Sequence, residues 1–356
     1  MGALFLTGFP GFIGKRLINS LQEKFDYEKI FLLVEQRMLN RAKEEILKFP
    51  FRDRIELIPG DITAQNLKLE PSKFKEIKPR ITHLFHLAAI YDLTVEFDPA
   101  YRVNVEGTKN VLNFADNLPF LEKFVYFSTA YVSGKRTGTV YEDELDKGQS
   151  FKNHYEYTKF LAEKEVRERL GDLPIVIIRP GIVIGDSQTG ETDKFDGPYY
   201  VMVFFKRVPR FIPLPYMGKG DAEVNLVPVD FIVKATVELT GLNKSTGKTY
   251  HLTDPAPLTA RELYKLFSIK IRGKEPHGEI PLSLVQAFLR IRPLARVFGV
   301  PYEATPYFVH KVHYDSSNTL EDLGPLGIRV PPLTSYIDNI VNFFLKNYKN
   351  PEMRKF

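Results

Sequence analysis

Residues 7–14 read Thr-Gly-Phe-Pro-Gly-Phe-Ile-Gly, and this stretch is the strongest single indication of what the chain builds. It follows an apolar run, Ala3–Thr7, and opens an amphipathic run that continues to Lys24, so it joins a strand to a helix. Its first glycine permits a tight turn, its second lets the main chain approach a pyrophosphate, and its third lets the helix pack closely on the sheet. The stretch predicts a dinucleotide site at the helix amino terminus, with contacts from Gly8, Gly11, Phe12, Ile13 and Gly14.

Outward from this motif, short apolar runs alternate with longer amphipathic segments, which is the pattern of β-α units on a parallel sheet. The predicted strands are Ala3–Thr7, Lys29–Glu35, Arg54–Ile58, His83–Leu87, Lys123–Ser128, Ile175–Arg179 and Lys248–Leu252. The predicted helices are Phe12–Lys24, Met38–Phe49, Val103–Asn117, Asn153–Leu170, Asp230–Leu239, Thr259–Phe267, Leu282–Val297 and Thr334–Asn347. We therefore predict an α/β fold, a Rossmann-type doubly wound parallel sheet of about seven strands with a smaller, mostly helical substrate lobe.

The rhythm changes after Gly185, where proline and aromatic residues crowd the stretch from Phe195 to Tyr216. We expect an NAD(P)-binding lobe, a substrate-binding lobe inserted into it and appended after it, and a C-terminal helix and tail. Their predicted bounds are 1–190 and 222–260, then 191–221 and 261–335, then 336–356.

The composition limits the chemistry that the chain can support. Its 356 residues include no cysteine, which excludes disulfides, iron–sulfur clusters, cysteine-ligated zinc and thiol catalysis. The net charge of +5 is spread without a long Lys/Arg run, so we expect no nucleic-acid partner. The apolar start has no cationic region before it, and no uncharged stretch reaches the roughly 18 residues that span a bilayer. We expect a cytoplasmic protein, and peripheral contact with a membrane stays open.

One acidic residue bears on the choice of cofactor. Glu35 lies at the end of the second apolar run, 21 positions after Gly14, where a carboxylate holds the adenosine ribose hydroxyls and repels a 2′-phosphate. Arg37 and Arg41 follow, and a guanidinium would accommodate that phosphate. The sequence favours NAD(H) and leaves NADP(H) open.

Three further segments follow in order: Pro-Gly-Asp-Ile at 59–62, His-Leu-Ala-Ala at 86–89, and Asn-Val-Glu-Gly-Thr at 104–108. In this order the chain resembles the extended short-chain dehydrogenase/reductase superfamily. His86 itself is expected to be a hydrogen-bonded core histidine. The resemblance implies adenine contacts from Asp61 and Ile62, a cofactor wall from Leu87, Ala88 and Ala89, and a contact with the cofactor backbone from Asn104.

A tyrosine and a lysine four residues apart share one helix face, and Tyr-x-x-x-Lys occurs three times in the chain. The cases at Tyr131 and Tyr307 fail on context, since one lies in a glycine turn and the other outside the nucleotide-binding half. Tyr155 instead begins a helical run, 26 residues after Thr129, in the order of the superfamily. The resemblance makes Tyr155 the general acid/base, Lys159 its activator and ribose anchor, and Thr129 the hydroxyl that orients the substrate oxygen. We expect the ammonium about 4 Å from the phenol, where it would supply the roughly 4 kcal/mol that lowers a tyrosine pKa to about 7.

A later segment, Arg-Pro-Gly-Ile-Val at 179–183, looks like the strand end that closes over the nicotinamide, with contacts from Pro180, Gly181 and Val183. Together with the stretches around Tyr91 and Tyr131, it resembles the fatty-acyl-reductase, male-sterility and thioester-reductase branch. The branch implies a lipophilic small-molecule substrate, including a coenzyme A or carrier-protein thioester. The superfamily resemblance also suggests a homodimer.

The second lobe is aromatic and basic. Aromatic residues crowd the run after Tyr199, and three arginines, Arg290, Arg292 and Arg296, punctuate a later apolar segment. An apolar tunnel with a cationic mouth would suit an acyl chain, and the same features would suit an anionic membrane surface. An ordinary core helix with a solvated cationic face is the third interpretation. The predicted substrate contacts are Tyr91, Tyr131, Tyr199 and Tyr200.

Two smaller features are expected to carry no chemistry. The acidic stretch Glu142–Asp146 is predicted to be a solvated loop, and His310 and His313 lack a carboxylate that would complete a metal site. We predict no metal.

The sequence as a whole predicts an NAD(P)-dependent oxidoreductase that moves a hydride to or from a carbonyl or alcohol carbon of a fatty-acyl-, aldehyde- or sterol-like substrate. A sugar-nucleotide epimerase or dehydratase of the same superfamily is an alternative, since Arg207, Arg210 and Arg292 could hold a diphosphate. A non-catalytic dinucleotide-sensing regulator is another alternative. Such regulators commonly lack the pair that Tyr155 and Lys159 form.

Overall fold

Seven parallel strands form the central sheet of the structure, a computed structural model that describes residues 2–353. The strands are β1 (Ala3–Thr7), β2 (Lys29–Val34), β3 (Ile55–Pro59), β4 (Ile81–His86), β5 (Lys123–Phe127), β6 (Gly138–Val140), β7 (Ile175–Pro180), β8 (Ile182–Ile184), β9 (Tyr216–Met217), β10 (Leu226–Pro228), β11 (Thr249–Leu252), β12 (Glu279–Ile280) and β13 (Val312–Tyr314). The α-helices are α1 (Phe12–Phe25), α2 (Leu39–Ile46), α3 (Pro71–Ile77), α4 (Phe97–Tyr101), α5 (Gly107–Ala115), α6 (His154–Arg167), α7 (Tyr199–Arg207), α8 (Val229–Gly241), α9 (Ala260–Arg272), α10 (Leu282–Leu289), α11 (Arg292–Phe298), α12 (Ser317–Leu323) and α13 (Leu333–Asn347). The central sheet runs in the order β11-β7-β5-β4-β1-β2-β3, and the predicted α/β fold is confirmed.

Alternate side chains of each central strand feed two separate cores. In β1, Leu4 and Leu6 lie in the core that α1 and α8 cover, whereas Phe5 packs on Phe114 of α5 with ring centroids 4.7 Å apart. Each such side chain, fully buried, contributes about 1.5–3 kcal/mol to folding. Helices on both faces leave the strands no solvated side, which is why these strands read as continuous apolar runs.

Strand register brings the carboxyl ends of four strands to one edge of the sheet. Thr7 at the end of β1 pairs with His86 at the end of β4, and His86 pairs in turn with Tyr126 of β5. Phe127 of β5 pairs with Ile178 of β7. From β1 the chain continues to β2, toward one edge of the sheet, and from β4 it continues to β5, toward the other edge. A ligand crevice forms outside the strand ends where the strand order reverses in this way. The loops after these four strands are therefore placed to build a site.

A third core lies where α7, α9 and α13 pack together. Phe205 of α7 lies with its ring centroid 4.7 Å from that of Tyr264 of α9, and Phe344 of α13 lies 5.0 Å from Phe195. Two later segments return to the first lobe, since β13 pairs with β6 and α12 packs on β11. The predicted domain bounds stay predictions.

The segment from Leu282 to Val297, predicted as one helix, is two helices, and the expectation is wrong. The backbone at Ile291 is extended (φ −79°, ψ 95°), and Pro293 lies in the first turn of α11, where its missing N–H costs nothing. A π-helical stretch, Arg102–Glu106, similarly interrupts the helical run between α4 and α5. Helices α3, α4, α7 and α12 have no counterpart among the predicted helices.

The acidic stretch Glu142–Asp146 is not a solvated loop, because its first residue belongs to the interior. Glu142 is 2% exposed, and its carboxylate accepts from the backbone N–H groups of His251 (2.8 Å) and Asn318 (2.6 Å). Burial raises the pKa of Glu142 to about 7, although these donors act against the shift. Leu145 of the same stretch is also buried, and Glu144 forms an ion pair with Arg136.

The two histidines near the end of the chain contact other groups. His310 Nε2 lies 2.6 Å from the Arg136 carbonyl oxygen, and His313 Nδ1 lies 2.9 Å from a Glu223 carboxylate oxygen. Within residues 2–353, no three His, Asp or Glu side chains converge as metal ligands would. Nor does any helix in that range combine the length and apolarity needed to cross a bilayer.

Candidate active site

The loop between β1 and α1 has the geometry of an anion cradle. Gly8 adopts φ +94°, which L side chains rarely adopt, and a Cβ atom at Gly11 would lie 2.6 Å from the Gly8 carbonyl oxygen. Helix α1 begins there with no side-chain cap and no acidic residue in its first turn. Its first N–H groups, at Phe12, Ile13 and Gly14, and its positive dipole end are therefore open to an anion. The loop fits the pyrophosphate of a dinucleotide.

The segment that follows β4 lies against this loop. The Ala88 N–H donates to Thr7 Oγ1 at 3.3 Å, and an added Cβ at Gly8 would lie 2.8 Å from the Ala88 nitrogen. His86, at the end of β4, has ring nitrogens 2.7 Å from Thr7 Oγ1 and 3.1 Å from Thr108 Oγ1. Burial lowers its pKa to about 3, so it is the neutral core histidine that the sequence predicts. This arrangement places Leu87, Ala88 and Ala89 beside the cradle.

Other predicted cofactor contacts carry hydrogen bonds of the fold itself. Asp61 accepts from the backbone N–H and the hydroxyl of the residue two positions on, both at 2.8 Å. The Ile62 carbonyl accepts from a side-chain amide of α5 at 2.8 Å. Asn104 Oδ1 accepts from the Ile90 N–H at 2.9 Å, and its Nδ2 donates to Thr158 Oγ1 at 3.0 Å. Asn104 thus joins the segment after β4 to helix α6, and the cofactor contacts of these residues stay predictions.

Charged side chains are paired at the adenosine end of the predicted site. Glu35 Oε1 lies 2.7 Å from Arg37 Nε, and both side chains are exposed. Arg41 Nη2 lies 3.5 Å from Asp193, a carboxylate that Lys15 also contacts at 2.7 Å. Both arginines that could meet a 2′-phosphate are therefore already held by carboxylates.

Thr129 and Tyr155 meet beyond the carboxyl end of β5. Thr129 lies two residues after the strand and is buried. Tyr155 lies in the first turn of α6, which Asn153 caps by accepting from the Glu156 N–H at 2.9 Å. Burial raises the pKa of Tyr155 above its usual value, and the nearby Thr129 hydroxyl acts in the opposite direction. The ring of Tyr91, which is 48% exposed, stands edge-on to that of Tyr155 with centroids 5.1 Å apart.

Lys159 lies one turn further along α6, and its ammonium reaches β5. Its Nζ donates to the Phe127 carbonyl at 2.7 Å and to the Tyr126 hydroxyl at 3.1 Å. Lys159 is 4% exposed, and burial lowers its pKa to about 7. Among the described residues, no hydrogen bond joins Lys159 Nζ to the Tyr155 hydroxyl. The expected position of the ammonium about 4 Å from the phenol stays a prediction.

A buried ion pair next to these residues was not predicted from the sequence. Glu163, one turn after Lys159, lies 2.6 Å from Arg179 of β7, and both side chains are 0% exposed. Glu163 also accepts from the hydroxyl of Ser128, the residue before Thr129, at 2.6 Å. Burial acts to raise the pKa of Glu163, but the charge of Arg179 holds it at about 2. An arginine in an otherwise apolar strand and a glutamate four residues after the lysine were the available signals.

The segment after β7 continues directly into β8, which pairs with β10. Pro180 ends β7, and the next residue, Gly181, donates its N–H to the Leu252 carbonyl at 3.1 Å. An added Cβ at Gly181 would lie 2.8 Å from Asn225 oxygens, so a side chain would not fit there. Val183 lies within β8. Contacts of Pro180, Gly181 and Val183 with a nicotinamide stay predictions.

The four predicted substrate tyrosines lie in different environments. Tyr91 is in ring contact with Tyr155, as described above. Tyr131 lies in the turn after Thr129, and its ring stands edge-on to that of Tyr307 at 5.4 Å. Tyr199 is 2% exposed, and its hydroxyl accepts from a backbone N–H at 3.1 Å, so it belongs to the core of α7, α9 and α13. Tyr200 packs against the small core of α10 and α11.

A comparison with protein families decides where this geometry belongs. The model of an NAD-binding family described as "Male sterility protein" matches residues 6–236, well over half of the chain. The chain belongs to this family. The predicted resemblance to the extended short-chain dehydrogenase/reductase superfamily and its male-sterility, fatty-acyl-reductase branch is confirmed. The predicted enzyme class, an NAD(P)-dependent short-chain dehydrogenase/reductase, is confirmed at the level of the family.

Curated relatives of the chain carry reductase names. "Fatty acyl-CoA reductase wat" of Drosophila melanogaster is 27% identical over 274 residues, which cover 65% of this chain and 52% of that protein. "Aldehyde reductase lnbA" of Aspergillus flavus is 27% identical over 275 residues, which cover 71% of this chain and 26% of that protein. The chain spans about half the length of the first of these proteins and about a quarter of the second.

Solved structures agree with the fold. The terminal R domain from the myxalamid PKS-NRPS biosynthetic pathway matches with a TM-score of 0.82 and 26% identity, covering 98% of this chain and 91% of that chain. UDP-glucuronic acid 4-epimerase from Bacillus cereus, solved in complex with NAD, matches with a TM-score of 0.66 and 19% identity, covering 98% of each chain. The second likeness extends to the fold alone.

Proposed function

We propose that the chain is an NAD(P)H-dependent reductase of acyl thioesters or of the matching aldehydes, with a hydrophobic acyl group. The observation that carries the proposal is the position of the Thr129 turn against the helix that bears Tyr155, at the sheet edge that also bears the glycine cradle. The substrate class is supported by two relatives, a fatty acyl-CoA reductase and an aldehyde reductase, and by the likeness to a PKS-NRPS R domain.

The two hydroxyls would act on the substrate oxygen. A bound nicotinamide dinucleotide supplies a hydride to the carbonyl carbon. Thr129 would donate a hydrogen bond to the carbonyl oxygen and orient it, and Tyr155 would transfer its phenolic proton to that oxygen as negative charge develops. With a thioester, the C–S bond breaks, the thiol leaves and an aldehyde remains. With an aldehyde, the product is the alcohol, and each reduction consumes one hydride and one proton.

Tyr155 needs help to give up its proton, because burial raises its pKa. A buried ammonium one helical turn away favours the phenolate, and about 4 kcal/mol is available at about 4 Å in an effective dielectric near 20. Lys159 is held instead by the Phe127 carbonyl and the Tyr126 hydroxyl. We infer that Lys159 anchors the cofactor ribose from this position and favours the Tyr155 phenolate through its charge, without a hydrogen bond to the phenol.

We infer that NAD(H) is the favoured cofactor. Glu35 follows β2, where a ribose diol would be held, and its carboxylate forms an ion pair with the Arg37 guanidinium. Arg41 is engaged by Asp193. A 2′-phosphate would therefore have to displace Glu35 from Arg37 or Asp193 from Arg41. It would also be repelled by the negative charge of Glu35.

The experiment is a turnover assay with NADH and NADPH against aliphatic aldehydes, acyl coenzyme A thioesters and a nucleotide sugar. Wild type should oxidise the reduced cofactor with an aldehyde or thioester, and Tyr155→Phe should lose at least about 100-fold in kcat while cofactor affinity stays within a few-fold. Tyr157→Phe is the matched control, since Tyr157 lies two residues on in the same helix and is 37% exposed. Wild-type turnover by Tyr155→Phe would refute the proposal.

The epimerase alternative is answered by the same assay. Arg207 donates to the backbone carbonyls of Arg296 and Val297, and Arg210 donates to that of Ile271. Two of the three arginines that could hold a sugar diphosphate are therefore bonded to the chain itself. Conversion of the nucleotide sugar without net oxidation of NADH would replace the proposal. A homodimer, a carrier-protein partner and peripheral membrane contact stay predictions.

A further inference from the structure

Glu156, the residue after Tyr155, is a buried carboxylate that the proposed mechanism does not use. Its side chain is 0% exposed. It accepts a hydrogen bond from the Tyr307 hydroxyl at 2.7 Å, from the Lys152 backbone N–H at 3.1 Å and from Lys152 Nζ at 3.2 Å. An ionised group this deep is stable only while such donors surround it.

Lys152, which forms an ion pair with Glu156, links the Thr129 and Tyr155 parts of the proposed catalytic site. Lys152 Nζ, on a side chain 4% exposed, also donates to the Gly134 carbonyl at 2.5 Å. Gly134 ends the turn that begins at Thr129. The ion pair therefore joins the turn that carries Thr129 to the first turn of the helix that carries Tyr155.

The Tyr307 hydroxyl that donates to Glu156 comes from a distant part of the chain. Tyr307 lies in a 3₁₀ segment, Tyr302–Phe308, and its hydroxyl also accepts from Asn153 Nδ2, the cap of α6, at 2.9 Å. Lys152 Nζ lies 5.2 Å from the centre of the Tyr307 ring. The same segment is bonded to the apolar helix α10, because Gln286 Nε2 donates to Thr305 Oγ1 at 3.2 Å.

We propose that Tyr307, through Glu156, is a positioning residue that sets the first turn of α6 and with it the Tyr155 hydroxyl relative to Thr129. The proposal rests on the proposed function, since it assumes that Tyr155 is the proton donor. The phenol of Tyr307 fixes both the cap residue and the residue after Tyr155, so losing it frees two neighbours of the reacting group at once. Because the segment is also tied to α10, it connects the second lobe to the catalytic helix.

The test is Tyr307→Phe, which keeps the ring and removes the hydroxyl. We expect kcat for the carbonyl substrate to fall at least about tenfold, since a misplacement of about 1 Å at a reacting group costs up to about 100-fold. The affinity for NADH and the KM for substrate should stay within about twofold, because neither is bound by this hydroxyl. Tyr302→Phe is the matched control, as that hydroxyl lies in the same segment and meets only the exposed Arg290 at 3.3 Å among the described hydrogen bonds.

Glu156→Gln provides the second arm, since its amide oxygen still accepts from Tyr307. Its amide cannot form the ion pair with Lys152, so kcat should fall at least about tenfold here too, and adding Tyr307→Phe should lower kcat by less than the product of the two single losses, because both groups hold the same turn. An unchanged kcat in Tyr307→Phe would overturn the proposal, and so would a joint fall of kcat, NADH affinity and unfolding temperature, which marks a purely structural role. Full activity in Tyr155→Phe is the separate result that would overturn the proposed function.

Discussion

Lys159→Met should change how the stability of the cofactor-free protein depends on pH. The wild-type lysine has a pKa lowered to about 7 by burial, against about 10.5 in the unfolded chain. Between these values the unfolded state binds more protons, so wild-type stability rises as the pH increases from about 7 to about 10.5. The linkage relation gives a penalty that is about 3 kcal/mol larger at pH 6 than at pH 9.5. The stability difference between wild type and Lys159→Met should therefore shift by about 3 kcal/mol in favour of wild type over this range.

The assay is urea unfolding at pH 6 and pH 9.5, followed by circular dichroism because the chain has no tryptophan. Lost hydrogen bonds to the Phe127 carbonyl and the Tyr126 hydroxyl lower the stability of the variant, but they do so at both pH values and cancel in the comparison. Lys164→Met, a half-exposed lysine of the same helix, should give no such shift. A difference that is equal at pH 6 and pH 9.5 would refute the burial of a titrating Lys159.

Two further predictions concern the cofactor and the substrate. Glu35→Arg should move the preference from NADH toward NADPH by at least about tenfold in kcat/KM, because it exchanges a repulsive carboxylate for a second phosphate partner. Glu23→Arg, with an equal change of charge in the same lobe, should leave the preference unchanged, and a wild type that already prefers NADPH would contradict the role of Glu35. In a series of aliphatic aldehydes, kcat/KM should rise by up to about 100-fold over four added carbons, since each buried methylene contributes up to about 0.8 kcal/mol. A flat series would argue against a lipophilic channel.

The central sheet could be predicted closely because both of its faces are buried. The strand that was predicted as Lys123–Ser128 ends one residue earlier, and β1 has the predicted bounds. Where a helix is buried on nearly every face, the apolar pattern is less informative. Helix α7 is aromatic on nearly every face, so it lacks the periodicity that identifies a helix, and its partners in α9 and α13 are more than 50 residues away.

The candidate site, too, could be predicted from the sequence only in part. Residues grouped within a short motif, such as Gly8, Gly11 and the Tyr155/Lys159 pair, could be identified because local backbone geometry requires them. The partners of Glu142 and Glu156 could not, since a carboxylate in a polar stretch is ordinarily solvated. Only the folded chain places backbone N–H groups or a hydroxyl from residues more than 100 positions away against these carboxylates.

Two buried carboxylates, Glu156 and Glu163, lie two turns apart on α6 and bracket Lys159. Each is paired with a cation of a different element, Lys152 before the helix and Arg179 in β7. A buried ion pair adds little net stability compared with well-packed apolar side chains, because desolvation offsets most of the attraction. The pairs therefore do not account for why the helix is stable. They account for where the helix lies, since a helix held by directional bonds at two points cannot slide or rotate as one packed by apolar contacts alone could. The proposed mechanism needs this precision, because the Tyr155 phenol and the Thr129 hydroxyl must reach the same substrate oxygen within hydrogen-bond distance.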